Sequence, residues 1–264
     1  MAYIDAGDPR VQRTMVKNIK KVYNDAPEHT RTAGKQWYQN AHDLSSHAAR
    51  SAGLSPSQGA AITALASPGM DWNAHNKNVV SEAATLGDDV YRAVERSAKS
   101  GEKRRTPEAA EALRGTSLSR ATDSQILKVR SVVQGESPEK VLNPLTGPKT
   151  HRFFHNINDP DNPHPVTIDG RGHDLAINRM IGWQTIRGIS SANLPSGSTS
   201  RYEHFESAYR TAAHHLSKEH GETVLPLHVQ AVTWQHGKDI EMATPTKSGS
   251  QRVRGPIRSG QRYF

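Results

Sequence analysis

The chain has 264 residues, enough to bury a core of its own, with 34% hydrophobic and only 6% aromatic residues. It contains no Cys, which excludes disulfides, thiolate metal centres, iron–sulfur clusters and a cysteine nucleophile, and no apolar run reaches membrane-spanning length. Thirty-four Lys and Arg against 26 Asp and Glu give a formal charge of +8, which makes a polyanion, nucleic acid first of all, the expected partner.

The opening Met1-Ala2-Tyr3-Ile4-Asp5 is neither a basic nor an apolar leader, so no secretory signal is expected and the expected location is cytoplasmic. Residues 1–32 read as an N-terminal helical extension. Trp37, Ala41, Leu44 and Ala48 then recur at three to four residues and predict an amphipathic helix. Ser55-Pro56-Ser57-Gln58 pairs a hydroxyl N-cap with Gln three residues later, a capping box opening a small-residue helix around Ala60 to Ala66. Helices follow from about Asn73 to Leu86 and from Asp88 to Ala98, and Ser100 to Arg105 reads as a basic surface connection. Thr106-Pro107 places Pro at a first helical position, where its missing N–H does no harm. A second capping box, Thr122 to Gln125, opens a helix to Val133, and a third is predicted at Ser200 to Glu203, before the stripe Tyr202, Phe205, Tyr209, Ala212 and Leu216. Asn158 to Pro165 is too rich in Pro to continue a helix. Lys247 to Phe264 carries five basic residues and no acid among Gly, Ser and Pro, and is expected to form a disordered basic tail. Alternating strand patterns are scarce, so the expected fold is all-α with no sheet of more than two strands.

The most informative stretch is Val141-Leu142-Asn143-Pro144-Leu145-Thr146-Gly147-Pro148-Lys149-Thr150-His151-Arg152-Phe153-Phe154. A short apolar helix end, a tight turn at Leu145 to Gly147 and a second helix opening at Pro148 describe a helix-hairpin-helix. Gly147 would let a phosphate approach the backbone, and the amides opening the second helix would point at it. Twenty residues after Lys149 comes Val166-Thr167-Ile168-Asp169-Gly170-Arg171-Gly172-His173, where a short apolar run delivers one carboxylate to another helix start.

This order resembles the helix-hairpin-helix DNA glycosylase superfamily, the endonuclease III-like enzymes. In that family a hairpin of the form Leu-Pro-Gly-Val-Gly-x-Lys-Thr-Ala precedes an apolar stretch ending in Val-Asp-Thr-His. Pro144, Gly147, Lys149 and Thr150 fall on the first pattern, and Ile168, Asp169 and His173 fall near the second. Leu145 stands where the family has its first hairpin Gly, and Gly170-Arg171-Gly172 replaces a single Thr. Upstream, Ile62 to Pro68 followed by Trp72 and Asn76 is similar to the apolar helix and turn that carry the family's wedge into the duplex. The resemblance covers about Ala33 to Gly182, and the layout also resembles uncharacterised bacteriophage proteins. It implies a glycosylase-like core over 33–187, C-terminal helices packing on it over 188–246, and the basic tail over 247–264.

The resemblance implies a DNA glycosylase acting on a flipped-out base of double-stranded DNA, as a monomer and without cofactor or metal. Cleaving an N-glycosidic bond builds positive charge on the sugar, which the Asp169 carboxylate would stabilise, while Lys149 would attack C1′ in a glycosylase/lyase. Met70 or Trp72 would fill the gap left by the base. Pro144, Gly147, Thr150, Arg152, Asn76, Arg171 and His173 complete the expected DNA-binding set. A base-modifying transferase on the same fold and a non-catalytic duplex-binding protein are the alternatives. Plainer roles stand beside these: Lys149 as a phosphate contact, Asp169 as an N-cap, Trp72 as a core aromatic and Asn76 as a turn brace. The Asp169/His173 pair and the group His214, His215 and His220 lack a dense ligand pattern, so their His are expected to be solvated.

Overall fold

The computed structural model describes residues 6–67, 78–144, 147–177 and 199–243. These form twelve helices and no strand, so the protein is all-α: α1 (Pro9–Asp25), α2 (Glu28–Ser51), α3 (Pro56–Ala66), α4 (Val79–Thr85), α5 (Asp88–Lys99), α6 (Pro107–Ala112), α7 (Asp123–Val133), α8 (Pro138–Val141), α9 (Pro148–Asn158), α10 (Gly170–Ala176), α11 (Thr199–His220) and α12 (Pro226–Ala243). None of them is long and apolar enough to cross a membrane. Met70, Trp72, Asn76, the Leu145–Thr146 turn and the basic tail lie outside the described residues.

The chain divides into two compact units, residues 1–37 with 168–264 and residues 38–167, so that it enters the second unit within α2 and leaves it at Thr167. The sequence-read stretches 1–32 and 188–246 therefore share the first unit, and 33–187 is divided between the two.

In the first unit α1 packs on α10, α11 and α12. Its buried side chains, Met15, Ile19 and Tyr23, recur every four residues and so share one face. Polar contacts fix its register. The Asn18 amide donates to the Ala176 carbonyl at 2.9 Å, satisfying an end group of α10, and Gln12 donates to the His204 carbonyl at 2.9 Å.

In the second unit α3 is the central element. Gly59 to Ala66 are all buried, and α9, α7, α4 and α8 pack around them. A helix apolar on every side is one enclosed by its neighbours. Both predicted capping boxes that fall in this unit are formed, Ser55 with Gln58 and Thr122 with Gln125, and Thr106 accepts from the Ala109 amide. Gly53, with φ of +74°, ends α2 in the left-handed conformation that favours glycine.

Three sequence expectations are corrected. The buried stripe of α2 is Thr30, Gly34, Tyr38, Ala41, Ser45, Ser46 and Ala49: Ala41 is buried as predicted, but Tyr38, Ser45 and Ala49 take the places expected for Trp37, Leu44 and Ala48, and Leu44 is 40% exposed. A run of small residues shows its polar members Thr30 and Ser45 as readily as Leu44 to a sequence reader, and apolarity misplaced the face. Helix α11 already runs from Thr199, so Ser200 lies inside it and is not its N-cap. Arg105 is no surface cation. It donates through Nε to Asp123 Oδ1 at 2.5 Å and through Nη1 to the Ser119 carbonyl at 2.8 Å, and it also bonds the Ala121 carbonyl.

Candidate functional site

The helix start expected at Pro148 is present. Pro148 occupies the first position of α9 and Gly147 the N-cap, with no side chain capping the end. The Gly147 amide donates to the Asn143 carbonyl at 3.0 Å, closing a turn that also holds Pro144. Gly147 has φ of −146°, open to every residue, and a Cβ there would come no closer than 3.7 Å to Asn143 O, so neither conformation nor space demands glycine. Lys149 and Thr150 follow in the first turn, half-buried. Among the described residues no hydrogen bond or ion pair holds the Lys149 ammonium. A helix N-terminus carries positive partial charge from unpaired amides, and a free ammonium beside it adds a full one.

The rest of α9 carries a cluster the sequence reading passed over. His151 and His155 lie four residues apart, with ring centroids 4.4 Å apart. Their Nε2 atoms are 3.1 Å apart, and Arg152 Nη1 sits 3.2 Å from His151 Nδ1. Glu139 of α8 reaches both, Oε2 lying 3.8 Å from His151 Nε2 and 3.6 Å from His155 Nε2. Burial, helped by His155 and Arg152, pushes His151 down to about 4. Burial also lowers His155, with Glu139 opposing the shift and Arg152 adding to it. Among the described residues, these three side chains form a group that could hold a metal ion. The signal was the spacing His-x-x-x-His on a helix, begun by His151 in the stretch already singled out and completed by His155 one residue past its end.

Asp169 belongs to the first unit and Lys149 to the second. Asp169 is the N-cap of α10: Oδ1 accepts from the Gly172 amide at 3.0 Å, and Oδ2 accepts from the Trp234 indole N–H at 2.9 Å. The plainer role considered for it is thus observed. The Arg171 guanidinium lies over the Trp234 ring at 4.8 Å, with Lys238 Nζ 5.7 Å from the same ring. A Cβ at Gly172 would crowd the Ile168 side chain, 3.0 Å from its Cγ2, and the Gly172 carbonyl accepts from Tyr209. His173 is not solvated. It is buried, its ring edge-on to Phe205 at 4.4 Å. His214, His215 and His220 are exposed, as expected. Of the residues that hold this helix start, Trp234 escaped the sequence reading and Tyr202 and Tyr209 were read only as part of an apolar stripe, because single hydrogen bonds between distant residues leave no local spacing to detect.

The geometry defines an all-α protein of two helical units, one with an open basic helix start beside a His pair, the other with a capped carboxylate under an indole. The chain belongs to a family of unknown function, DUF7178, whose model matches residues 1–239. No curated protein matches the chain, and no solved structure does.

Proposed function

We propose that the chain binds double-stranded DNA in the cytoplasm and acts on a flipped-out base, most simply as a DNA glycosylase. The observation that carries the reading is the start of α9: a helix N-terminus with no side-chain cap, opening on a Lys149 that pairs with nothing among the described residues. Such an end offers backbone amides and an ammonium to a phosphate, and Thr150 and Arg152 stand in the next positions along the same helix. In this reading Asp169 supplies the negative charge that an oxocarbenium-like transition state requires, and Lys149 is either its phosphate contact or its nucleophile. Net charge supports a polyanionic partner independently of either residue.

A second reading, a duplex-binding protein without chemistry, is favoured by one observation. Both Asp169 oxygens are already engaged, one by Gly172 and one by Trp234. Asn caps a helix about as well as Asp, so Asp169→Asn keeps the Gly172 cap while removing the charge; its amide nitrogen cannot accept from the Trp234 indole, so circular dichroism must first show the variant folded. On duplexes carrying damaged, mismatched and modified bases, this variant should bind DNA with unchanged affinity and lose base release. Lys149→Gln should lose any borohydride-trapped adduct and lower the salt slope of binding by about 1. Full base release by Asp169→Asn removes the catalytic role of this residue. No base release by the unmodified chain on any of these duplexes, with binding intact, leaves the second reading.

A further inference from the structure

His151 and His155 project from one face of α9, and the single turn of α8 brings Glu139 against them. The three donor atoms are mutually close: 3.1 Å between the two Nε2 atoms, and 3.8 and 3.6 Å from these to Glu139 Oε2. Atoms with those separations lie on a circle of radius about 2 Å, the length of a bond from zinc to an imidazole nitrogen or a carboxylate oxygen. A cation at its centre would therefore reach all three donors with little movement of the helices.

We propose that Glu139, His151 and His155 form a binding site for a divalent first-row transition ion such as zinc, with a coordination position left open for water or another ligand. The donor set selects this class of ion. Two imidazoles and one carboxylate suit zinc, cobalt or nickel, whereas magnesium and calcium take oxygen ligands almost throughout. Three protein donors leave a tetrahedral ion one position short, which water can fill, and Glu139 gives the group an exposed side. The site does not depend on the DNA reading.

Arg152 is the built-in competitor. In the structure its Nη1 donates to His151 Nδ1, which leaves the His151 proton on Nε2, donated in turn to His155 Nε2. Ligation reverses this pattern: Nε2 turns its lone pair to the metal, Nδ1 takes the proton, and Arg152 loses this acceptor. The guanidinium also repels the incoming cation. Removing it should strengthen binding, which a merely structural His pair would not do.

The test is zinc titrated into the chelator-stripped full chain against a chromogenic chelator, with circular dichroism on every variant. One tight equivalent is expected. Glu139→Gln, exposed and so harmless to the fold, and His155→Gln should each weaken it by about tenfold or more, Arg152→Gln should strengthen it, and the double variant His214→Gln/His215→Gln should leave it unchanged. Bound cobalt should show visible bands that Glu139→Gln weakens. Zinc affinity unmoved in a folded Glu139→Gln, or loss of zinc in the His214/His215 variant alone, overturns the proposal.

Discussion

Burial holds the His151 imidazole neutral far below the pH at which it would charge in an unfolded chain, with a folded value of about 4. The unfolded chain, with the ordinary value near 6.5, therefore binds the extra proton first as pH falls. Stability contributed by this neutral state is complete above about pH 6.5 and is lost progressively from there down to about pH 4. With chelator present, urea midpoints should be flat above neutrality and fall across that window, and His151→Gln should flatten the fall. A slope unchanged in His151→Gln would place the proton uptake elsewhere. Asp169 shows at the same scale what one residue's neighbours decide. Its place at a helix start was legible from the apolar run before it, but the Trp234 indole on its other oxygen comes from a helix 65 positions along the chain. Nothing local in the sequence announces such a bond.

Close approach between helices is set by two glycines whose helical positions would otherwise favour Ala. A Cβ on Gly34 would lie 2.8 Å from the Val232 backbone, and one on Gly59 would lie 2.5 Å from the Ser45 carbonyl oxygen. Backbone atoms cannot rotate away as a side-chain end can. Helix propensity rewards Gly→Ala by about 1 kcal/mol, but forced overpacking costs about 1–3 kcal/mol, so the clash wins. Gly34→Ala and Gly59→Ala should lower the urea midpoint, whereas Gly147→Ala, whose Cβ would make only ordinary van der Waals contacts, should leave it nearly unchanged. A raised midpoint at Gly34 or Gly59 would contradict this packing. Element starts were the most legible part of the fold, because a cap is written within four residues: Ser55, Thr106 and Thr122 all cap where expected. Faces were less legible in small-residue helices. On α11 the aromatic stripe Tyr202, Phe205 and Tyr209 is buried as read, while on α2 the face turns on Thr30, Gly34 and Ser45, which carry little apolar signal.

At the scale of the whole chain, the sequence showed the helical class and the basic balance, but not the nested path by which residues 1–37 rejoin 168–264. That path rests on pairings such as Asn18 with Ala176 and Lys20 with Glu219, whose partners are separated by most of the sequence. The donor group on α8 and α9 was half legible: the His pair shows in its spacing, and Glu139 joins it only through the turn between two helices. The net charge of +8 and the open start of α9 meet in one expectation, that duplex DNA is bound chiefly through its phosphates. The most direct measurement is the affinity of the full chain for a defined duplex across a salt series. Log affinity should fall linearly with log salt, and deleting Lys247 to Phe264 or replacing Lys149 by Gln should make the fall shallower, by about 0.9 for each phosphate no longer neutralised. Absence of duplex binding at low salt, or an affinity indifferent to salt, would contradict the account.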